Sequence, residues 1–199
     1  MSTDIAVPTP GLWERYQMAM DKLTDRLNRI TAALTGMNVP YALVGGQAVI
    51  FWVSTKDPAA VRTTRDVDIL IDRADLAKAK SAALAAGLEY VEVVDVGMFV
   101  EPSDPNPKHG VNLVWAGEKV KADDPLPTPT IAERQELEPG KSVVTLAGLV
   151  RMKLTANRDK DRVHLRDMID VGLIDRSMLA GLPDELAARL DALLADAGR

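Results

Sequence analysis

The sequence predicts an α/β (α+β) protein whose chain ends in a helical part. Three observations predict this fold class. A strand, a glycine pair and a helix follow one another between residues 40 and 53, several short β-like runs come after them, and the chain has a helical pattern from about Leu146 onward. Some of the β-like runs have no helix between them, so we expect a sheet with hairpins rather than a long doubly wound sheet.

The length and composition are typical of one globular domain. The chain has 199 residues, of which 47% are hydrophobic, and no run approaches the roughly 20 apolar residues that span a bilayer. We expect a flexible tail over 1–10 and a single domain over 11–199, with a core at about 38–120 and a helical C-terminal part at about 142–199. The first residues lack the basic and apolar segments of a signal peptide, so we expect a cytoplasmic protein with no membrane partner.

The residue types restrict the chemistry. The absence of cysteine excludes disulfide bonds, thiolate nucleophiles and cysteine-containing zinc sites, and two histidines are too few for a multi-histidine metal site. Any metal ion is therefore expected to be bound through oxygen. The net charge of −5 and the pI near 5.1 argue against general nucleic-acid binding, but they leave a local basic face open.

The first element is a long amphipathic helix. Apolar side chains recur at alternating spacings of four and three residues from Tyr16 to Leu34, with charged residues opposite them, and the helix is expected to end near Gly36. The β-prone run YALV follows and stops at Gly45-Gly46. The run QAVIFWV then predicts a buried helix, so the order is strand, glycine turn and helix.

The next elements alternate between strands and loops. The run DVDILID predicts a strand that is acidic at its start, and an Ala-rich helix over about 74–86 follows, with Asp72 placed to cap it and Gly87 to close it in the left-handed conformation. The runs LEYVEVV, GMFVE and HGVNLVWA predict further strands. PSDPNPK and DDPLPTPT are too rich in proline for regular structure, and the second predicts a seam between subdomains.

The last third predicts three helices, one through Lys153, one through His164 and one near the end of the chain. Residues 151–166 contain six Lys or Arg against two Asp, which predicts a basic face in an acidic protein. Lys153, Asn157, Lys160 and His164 fall on one face if this stretch is a continuous helix.

The main chemical signal combines Gly45-Gly46 with Asp66 and Asp68. Two glycines at the start of a helix let a phosphate approach the backbone, where free N–H groups and a partial positive charge favour an anion. Residues two apart on a strand project to the same side, so Asp66 and Asp68 can present both carboxylates to one point. Two carboxylates suit magnesium, which completes its coordination with water and phosphate oxygens.

The strings LVGGQAVIFW, RTTRDVDIL and LAGLVRMKLTANRDKDRVHLRD resemble the motifs of the nucleotidyltransferase fold, also called DNA polymerase β-like. Their context resembles the AbiEii-like branch, which is linked to type IV toxin–antitoxin systems. The resemblance covers roughly residues 40–170. It implies a mixed β-sheet flanked by helices, a catalytic-type core, and transfer of a nucleoside monophosphate from an NTP to an acceptor hydroxyl with Mg²⁺.

The resemblance also implies roles for individual residues. Asp66 and Asp68 would bind magnesium, Gly45 and Gly46 would hold the phosphates, and Lys153 would contact the triphosphate. A further pair in the RTTRDVD string, Arg62 and Thr64, are candidates for nucleotide contacts or for partners of the carboxylates.

The sequence departs from the family pattern in two places. Nineteen residues separate Gly46 from Asp66, more than is usual, so the loop around Asp57 contains an insertion. The family commonly has a third carboxylate on a strand beside the aspartate pair, and Asn112 takes that position here. An amide can orient a hydroxyl but cannot accept its proton, so the usual general base is missing. The alternatives are that Asp95, Glu92, Glu101 or Asp104 substitutes for it, or that the acceptor needs no base from the protein.

Two functions follow from these observations. The first is a magnesium-dependent nucleotidyltransferase-like enzyme that acts on an RNA end such as that of tRNA, on a protein or on a small molecule, as one component of a toxin–antitoxin pair with a cognate partner. The acidic pI argues against long RNA, while a tRNA end would dock on the 151–166 face. The alternative, favoured by Asn112, is a catalytically degenerate fold that binds a nucleotide or a partner protein without turnover.

Overall fold

The computed structural model describes residues 11–94 and 96–198, so the tail expected at 1–10 lies outside the described residues, as does Asp95. The α-helices are α1 Leu12–Gly36, α2 Gly45–Ser54, α3 Leu76–Ala85, α4 Leu146–Ala156, α5 Asp159–Asp170 and α6 Asp184–Asp196. The strands are β1 Ala42–Val44, β2 Val67–Ile71, β3 Glu89–Val93, β4 Val96–Val100, β5 Val111–Trp115, β6 Arg134–Glu138 and β7 Lys141–Val144.

The described strands form one seven-stranded mixed sheet in the order β3-β4-β5-β2-β1-β7-β6. The central pairs differ in direction, since β1 runs antiparallel to β2 whereas β2 is parallel to β5 and β1 is parallel to β7. Helices flank this sheet, and α4 to α6 form the helical C-terminal part. The predicted α/β (α+β) fold class is therefore confirmed.

Helix α1 follows the predicted amphipathic pattern and ends at Gly36 as expected. Only its C-terminal half is packed on the protein, where Leu27, Ile30 and Leu34 are buried. The apolar side chains of this half belong to one continuous core with the central strands and the C-terminal helices. Within the described part of the chain, every helix is too short or too polar to cross a membrane.

Strands β6 and β7 were not predicted. β6 lies at the edge of the sheet and four of its five residues are exposed, so it has little of the apolar alternation that identifies a strand. The Pro139-Gly140 turn between them was the available signal, and Gly140 has the positive φ of +73° that such a turn requires. These strands follow the proline-rich DDPLPTPT segment and extend the same sheet, because Leu43 of β1 pairs with Val143 of β7.

The start of α3 differs from the prediction. Residues Arg73–Asp75 form a 3₁₀ turn before the α-helix begins, and the Asp72 side chain makes no capping hydrogen bond. The predicted end of this helix is confirmed, because Gly87 has a φ of +74°.

The stretch through residues 153–164 is not the continuous helix on which a shared face depended. Asn157 adopts the left-handed conformation, with φ at 45°, and separates α4 from α5. Asparagine tolerates this conformation better than most residues. Because α4 ends at Ala156 and α5 begins at Asp159, the spacing of Lys153, Asn157, Lys160 and His164 does not define one helical face.

Candidate functional site

A cavity of about 370 Å³ opens where β1 meets α2, beside β2 and β5 and against α4. The connection from β5 to β6 and the break between α4 and α5 complete its walls. The lining residues that bear on chemistry are Gly45, Asp66, Asp68, Asn112, Lys121, Asp124, Lys153, Thr155, Arg158, Lys160 and Asp161, and the apolar ones include Val114, Leu126, Leu149 and Met152. The cavity thus combines an apolar wall with a dense set of charges.

The two glycines are the first residues of α2 and have different surroundings. Gly45 lines the cavity with a φ of +64°, and a Cβ atom there would lie 2.0 Å from Oδ2 of Asp68. A Cβ atom on Gly46 would lie 2.7 Å from Oγ1 of Thr64. Glycine at 45 therefore makes room for the Asp68 carboxylate, whereas glycine at 46 lets the segment before β2 pack on the helix.

Asp66 and Asp68 both face the cavity, although β2 begins between them at Val67. Oγ1 of Thr64 accepts a hydrogen bond from the backbone N–H of Asp66, and the buried side chain of Gln47 donates to the Asp66 carbonyl. The Asp66 side chain is half exposed, at 50%, and lies 3.9 Å from Nζ of Lys160. These contacts fix the backbone while leaving one carboxylate accessible.

Asp68 is held by its neighbour in the sheet. Asn112 of β5 is its partner in the parallel register, and Nδ2 of Asn112 donates a hydrogen bond of 2.9 Å to Oδ1 of Asp68. The pKa of Asp68 is raised overall. Burial is the main cause and the charge of Asp66 adds to it, whereas the hydrogen bond from Asn112 acts in the opposite direction. A cation between the two carboxylates would relieve this repulsion.

Lys153 lies in a buried ion-pair network on the opposite wall. Its side chain is 6% exposed, and Nζ donates a hydrogen bond of 3.0 Å to Oδ1 of Asp161, which is itself buried. Arg158 donates to Oδ2 of the same carboxylate over 2.6 Å. Burial lowers the pKa of Lys153, although Asp161 opposes that change. Burial acts to raise the pKa of Asp161, but Arg158 and Lys153 lower it overall.

Several predicted residues lie elsewhere. Arg62 pairs with Asp167 of α5 at 2.8 Å and does not line the cavity. Thr64 contacts Gly46 and the backbone of Asp66 rather than the cavity itself. The described carboxylates that were considered as a replacement base are engaged away from the cavity: Glu92 with Tyr90, Glu101 with Arg26 and Arg29, and Asp104 with His109.

The basic stretch 151–166 is not a free cationic surface. Each of its six cations has a carboxylate partner: Arg151 with Glu133, Lys153 and Arg158 with Asp161, Lys160 with Asp66, Arg162 with Asp159, and Arg166 with Asp196. Three of these partners, Glu133, Asp66 and Asp196, lie outside the stretch and are brought to it by the fold, so the local count of charges was misleading.

Four residues at or beside the cavity were not predicted as site residues from the sequence: Asp161, Arg158, Gln47 and Asp124. Asp161 sits in a string of alternating charges that reads as a solvated helix face, and only its burial identifies it as a partner of Lys153. Asp124 comes from the proline-rich segment, which gave no signal of its position over the cavity. Its Oδ2 accepts a hydrogen bond of 2.8 Å from the backbone N–H of Lys121.

The arrangement can bind ions of both signs. Asp66 and Asp68 supply oxygen ligands for a hard divalent cation. The N-terminus of α2, Lys153, Arg158 and Lys160 favour an anion beside that cation. Such a pairing suits a metal-bound polyphosphate.

Comparisons with known proteins identify the family and the fold of the chain. The family model described as "Nucleotidyl transferase AbiEii toxin, Type IV TA system" matches residues 30–199. No curated protein matches the chain.

Two solved structures of one protein resemble the fold. The solution structure of the antibiotic-resistance factor ANT(2'')-Ia has 14% sequence identity and a TM-score of 0.51, with 90% of this chain and 94% of that chain covered. A crystal structure of ANT(2'')-Ia in complex with adenylyl-2''-tobramycin has 14% identity and a TM-score of 0.43, covering 92% of this chain and 99% of that chain. At this identity the first likeness shows a shared nucleotidyltransferase-like fold.

Proposed function

The chain belongs to the AbiEii nucleotidyl transferase family, and on that premise we propose that it is a magnesium-dependent nucleotidyltransferase. It transfers a nucleoside monophosphate from an NTP to an acceptor hydroxyl. The observation that carries this proposal is that Asp66, Asp68 and Lys153, which are distant in sequence, line one cavity with Gly45. Carboxylates for a metal and a cation for phosphate are the two components that phosphoryl transfer requires.

Magnesium fits the donor set at Asp66 and Asp68. The two carboxylates repel each other, and a Cβ atom on Gly45 would fill the space beside Oδ2 of Asp68. In the described part of the chain no three His, Asp or Glu side chains gather around one point, so the ion would keep water and phosphate oxygens as its other ligands. When bound, magnesium would withdraw charge from the phosphate under attack.

The phosphates would lie between the start of α2 and Lys153. Gly45 presents backbone rather than a side chain to the cavity, and the first N–H groups of a helix lack intrahelical partners. Lys153 is already paired with Asp161. Asp161 therefore orients the ammonium and keeps it charged in a buried place, and Arg158 supplies a second charge to that carboxylate. The triphosphate would be an additional partner of the ammonium.

The transfer reaction needs a group that accepts the proton of the attacking hydroxyl. The Asn112 amide donates to Asp68 and accepts no proton. Apart from the two proposed metal ligands, the carboxylates on the cavity are Asp161, which is paired with Lys153 and Arg158, and Asp124, for which the structure of residues 11–94 and 96–198 gives no ion pair. We assign it the role of proton acceptor, with Asn112 orienting Asp68.

The acceptor is a hydroxyl on an RNA end, a protein or a small molecule. The basic stretch 151–166 offers little free charge for a tRNA end, because its cations are ion-paired. This pairing favours a protein or small-molecule acceptor. As a family member, the chain would be the enzyme of a type IV toxin–antitoxin pair, with a cognate partner that protects the cell from its transfer reaction.

Asn112 favours one alternative, a nucleotide-binding module without turnover. The two functions share the binding of an NTP and magnesium and differ in product. An enzyme releases pyrophosphate and labels an acceptor, whereas a binding module returns the NTP intact.

Turnover tests the proposal. The protein would be incubated with each NTP labelled at the α-phosphate, with magnesium and an extract of acceptors, and both pyrophosphate release and labelled products would be measured. We expect one NTP to give both signals, and we expect Asp68→Asn to abolish them while Asp184→Asn, an exposed substitution in the first turn of α6, does not. Intact NTP in every reaction would overturn transfer and favour the binding module.

A further inference from the structure

We propose that a groove beside the exposed half of α1 binds an acidic amphipathic segment of another protein. The groove, called here the α1 groove, has a volume of about 590 Å³. Apolar and cationic side chains of α1 between Leu12 and Arg26 form one wall, and Arg65, Asp104 and His109 form the other. The proposal concerns binding and does not depend on the proposed transfer activity.

The apolar part of the α1 groove is exposed. Leu12, Met18 and Tyr16 are 81%, 50% and 38% accessible, and Trp13, beside the groove, is 68% accessible. These four residues occupy the first two turns of α1, a helix whose second half is packed in the core. Contiguous exposed apolar surface on an otherwise well-packed protein is typical of an interaction site.

The charges of the α1 groove are predominantly positive. Arg15, Lys22 and Arg65 line it without an ion pair in the described part of the chain, and the carboxylate of Asp104 is engaged by His109 at 2.7 Å. Arg26 differs from these three, because it is buried and its Nε forms an ion pair with Glu101 at 3.5 Å. This pattern contrasts with the ion-paired stretch 151–166. It complements a partner that carries carboxylates.

The apolar side chains indicate a protein segment rather than a nucleic acid. Leucine and methionine form most of the apolar lining, and the flexible thioether of methionine adapts to helical targets. A single strand of nucleic acid would instead need aromatic faces on which its bases stack. Trp13 and Tyr16 stack on each other, with ring centroids 5.5 Å apart, so their inner faces are already covered. An amphipathic helix with an acidic rim matches both features.

The α1 groove is continuous with the segment that leads into the cavity. Arg65, on its far wall, directly precedes Asp66 in the chain. A bound segment that pairs with Arg65 would therefore contact the residue next to a proposed metal ligand. A segment bound in the α1 groove would therefore influence the cavity from outside it.

A designed peptide tests this proposal directly. The probe is a fluorescein-labelled helical peptide with leucines along one face and glutamates on the other, and its control has the same composition in an order that gives no apolar face. Fluorescence anisotropy with the full chain would measure both affinities. We expect saturable binding of the amphipathic peptide and at least about tenfold weaker binding of the scrambled one, because the apolar contacts need a continuous stripe.

Charge reversal locates the binding site. We expect Arg15→Glu/Lys22→Glu to weaken peptide binding at least about tenfold through lost charge complementarity. The matched control is Lys56→Glu/Lys119→Glu, which reverses two exposed lysines that do not line the groove and should leave the affinity unchanged. Circular dichroism would verify that each variant is folded.

Four results would overturn the proposal. One is equal binding of the two peptides, and another is equal loss in the two charge-reversed variants. The third is tighter binding of a labelled oligocytidylate than of the peptide with the same sensitivity to Arg15→Glu/Lys22→Glu, which would assign the groove to nucleic acid. Sedimentation at increasing protein concentration provides a further check, because self-association lost in that variant would assign the groove to a second copy of the chain.

Discussion

Asn112 donates a hydrogen bond of 2.9 Å to the carboxylate of Asp68, its register partner on the adjacent parallel strand. Under the proposed function, the amide takes the place of a third carboxylate beside the metal ligands. It stabilises the ionised form of Asp68 in a place where burial and Asp66 both oppose ionisation. This relationship allows the metal site to be tested by adding charge as well as by removing it.

Asn112→Asp should make stability dependent on magnesium. Without the ion, the new carboxylate repels Asp68 and the hydrogen bond is lost, so we expect a loss of about 1–3 kcal/mol. Magnesium should raise the melting temperature of this variant more than that of the wild type. Thermal unfolding with and without magnesium chloride measures the difference, with Asn112→Ala as the uncharged control. An equal magnesium shift in both variants would contradict a metal site at Asp68.

Gly45→Ala should be far more damaging than Gly140→Ala. Both glycines have a positive φ, which costs a non-glycine residue about 1–2 kcal/mol. A Cβ atom on Gly140 meets no neighbour within 4 Å, whereas one on Gly45 would lie 2.0 Å from Oδ2 of Asp68. Urea unfolding and nucleotide binding measured on both variants separate backbone strain from this clash. We expect nucleotide binding to be lost only with Gly45→Ala, and similar behaviour of the two variants would be inconsistent with the proposed role of Gly45.

The buried pair of Lys153 and Asp161 should show strong energetic coupling. Lys153→Met leaves Asp161 with Arg158 alone, and breaking such a pair costs about 3–5 kcal/mol. Lys153→Met/Asp161→Asn removes both buried charges, so we expect it to be more stable than the sum of the single losses predicts. Denaturant unfolding of the four proteins gives the coupling energy. Additive losses would show that the two side chains are not coupled.

The same double variant separates stability from function. If Lys153 contacts the triphosphate, recovery of stability in Lys153→Met/Asp161→Asn should not recover nucleotide affinity. A double variant with wild-type affinity would refute that contact and leave Lys153 a packing residue.

His164 should make the protein less stable in mild acid. Burial first, and then the charge of Lys153, lower the pKa of His164 to about 4. The unfolded chain takes up this proton as the pH falls below about 6.5, while the folded protein resists it until about pH 4, so stability falls across that window. The expected loss between pH 7 and pH 5 is about 2 kcal/mol. Denaturant unfolding at both pH values should show a smaller drop for His164→Gln, and an identical drop would exclude His164 as its source.

The residues of the cavity were largely predictable, because the glycine pair, the two aspartates and the later lysine occur together in strings that resemble the motifs of one family. Asp66, Asp68, Asn112, Gly45 and Lys153 do line one cavity. The separate roles of Gly45 and Gly46 were not predictable. The two glycines look equivalent in sequence, yet one meets Asp68 and the other meets Thr64.

The features that sequence missed depend on long-range packing. The edge strand β6 is polar because one side of it faces solvent, so its pairing with β7 rather than its composition makes it a strand. Arg62 precedes Asp66 and Asp68 closely in the chain, which made it a candidate partner of those carboxylates. In the structure its guanidinium pairs with Asp167 of α5. The role of Asp161 is likewise evident only in the folded protein. Helix α5, which follows the break at Asn157, places the Asp161 carboxylate beside Lys153.

Calorimetric titration of each NTP into the protein, with and without magnesium, tests the proposed metal-dependent nucleotide site. The proteins compared are the wild type and Asp66→Ala/Asp68→Ala, with circular dichroism to verify that both are folded. We expect at least one NTP to bind the wild type only with magnesium, and we expect the double variant to lose this binding. Absence of binding to every NTP, or equal binding by the double variant, would contradict a metal-dependent nucleotide site at this cavity.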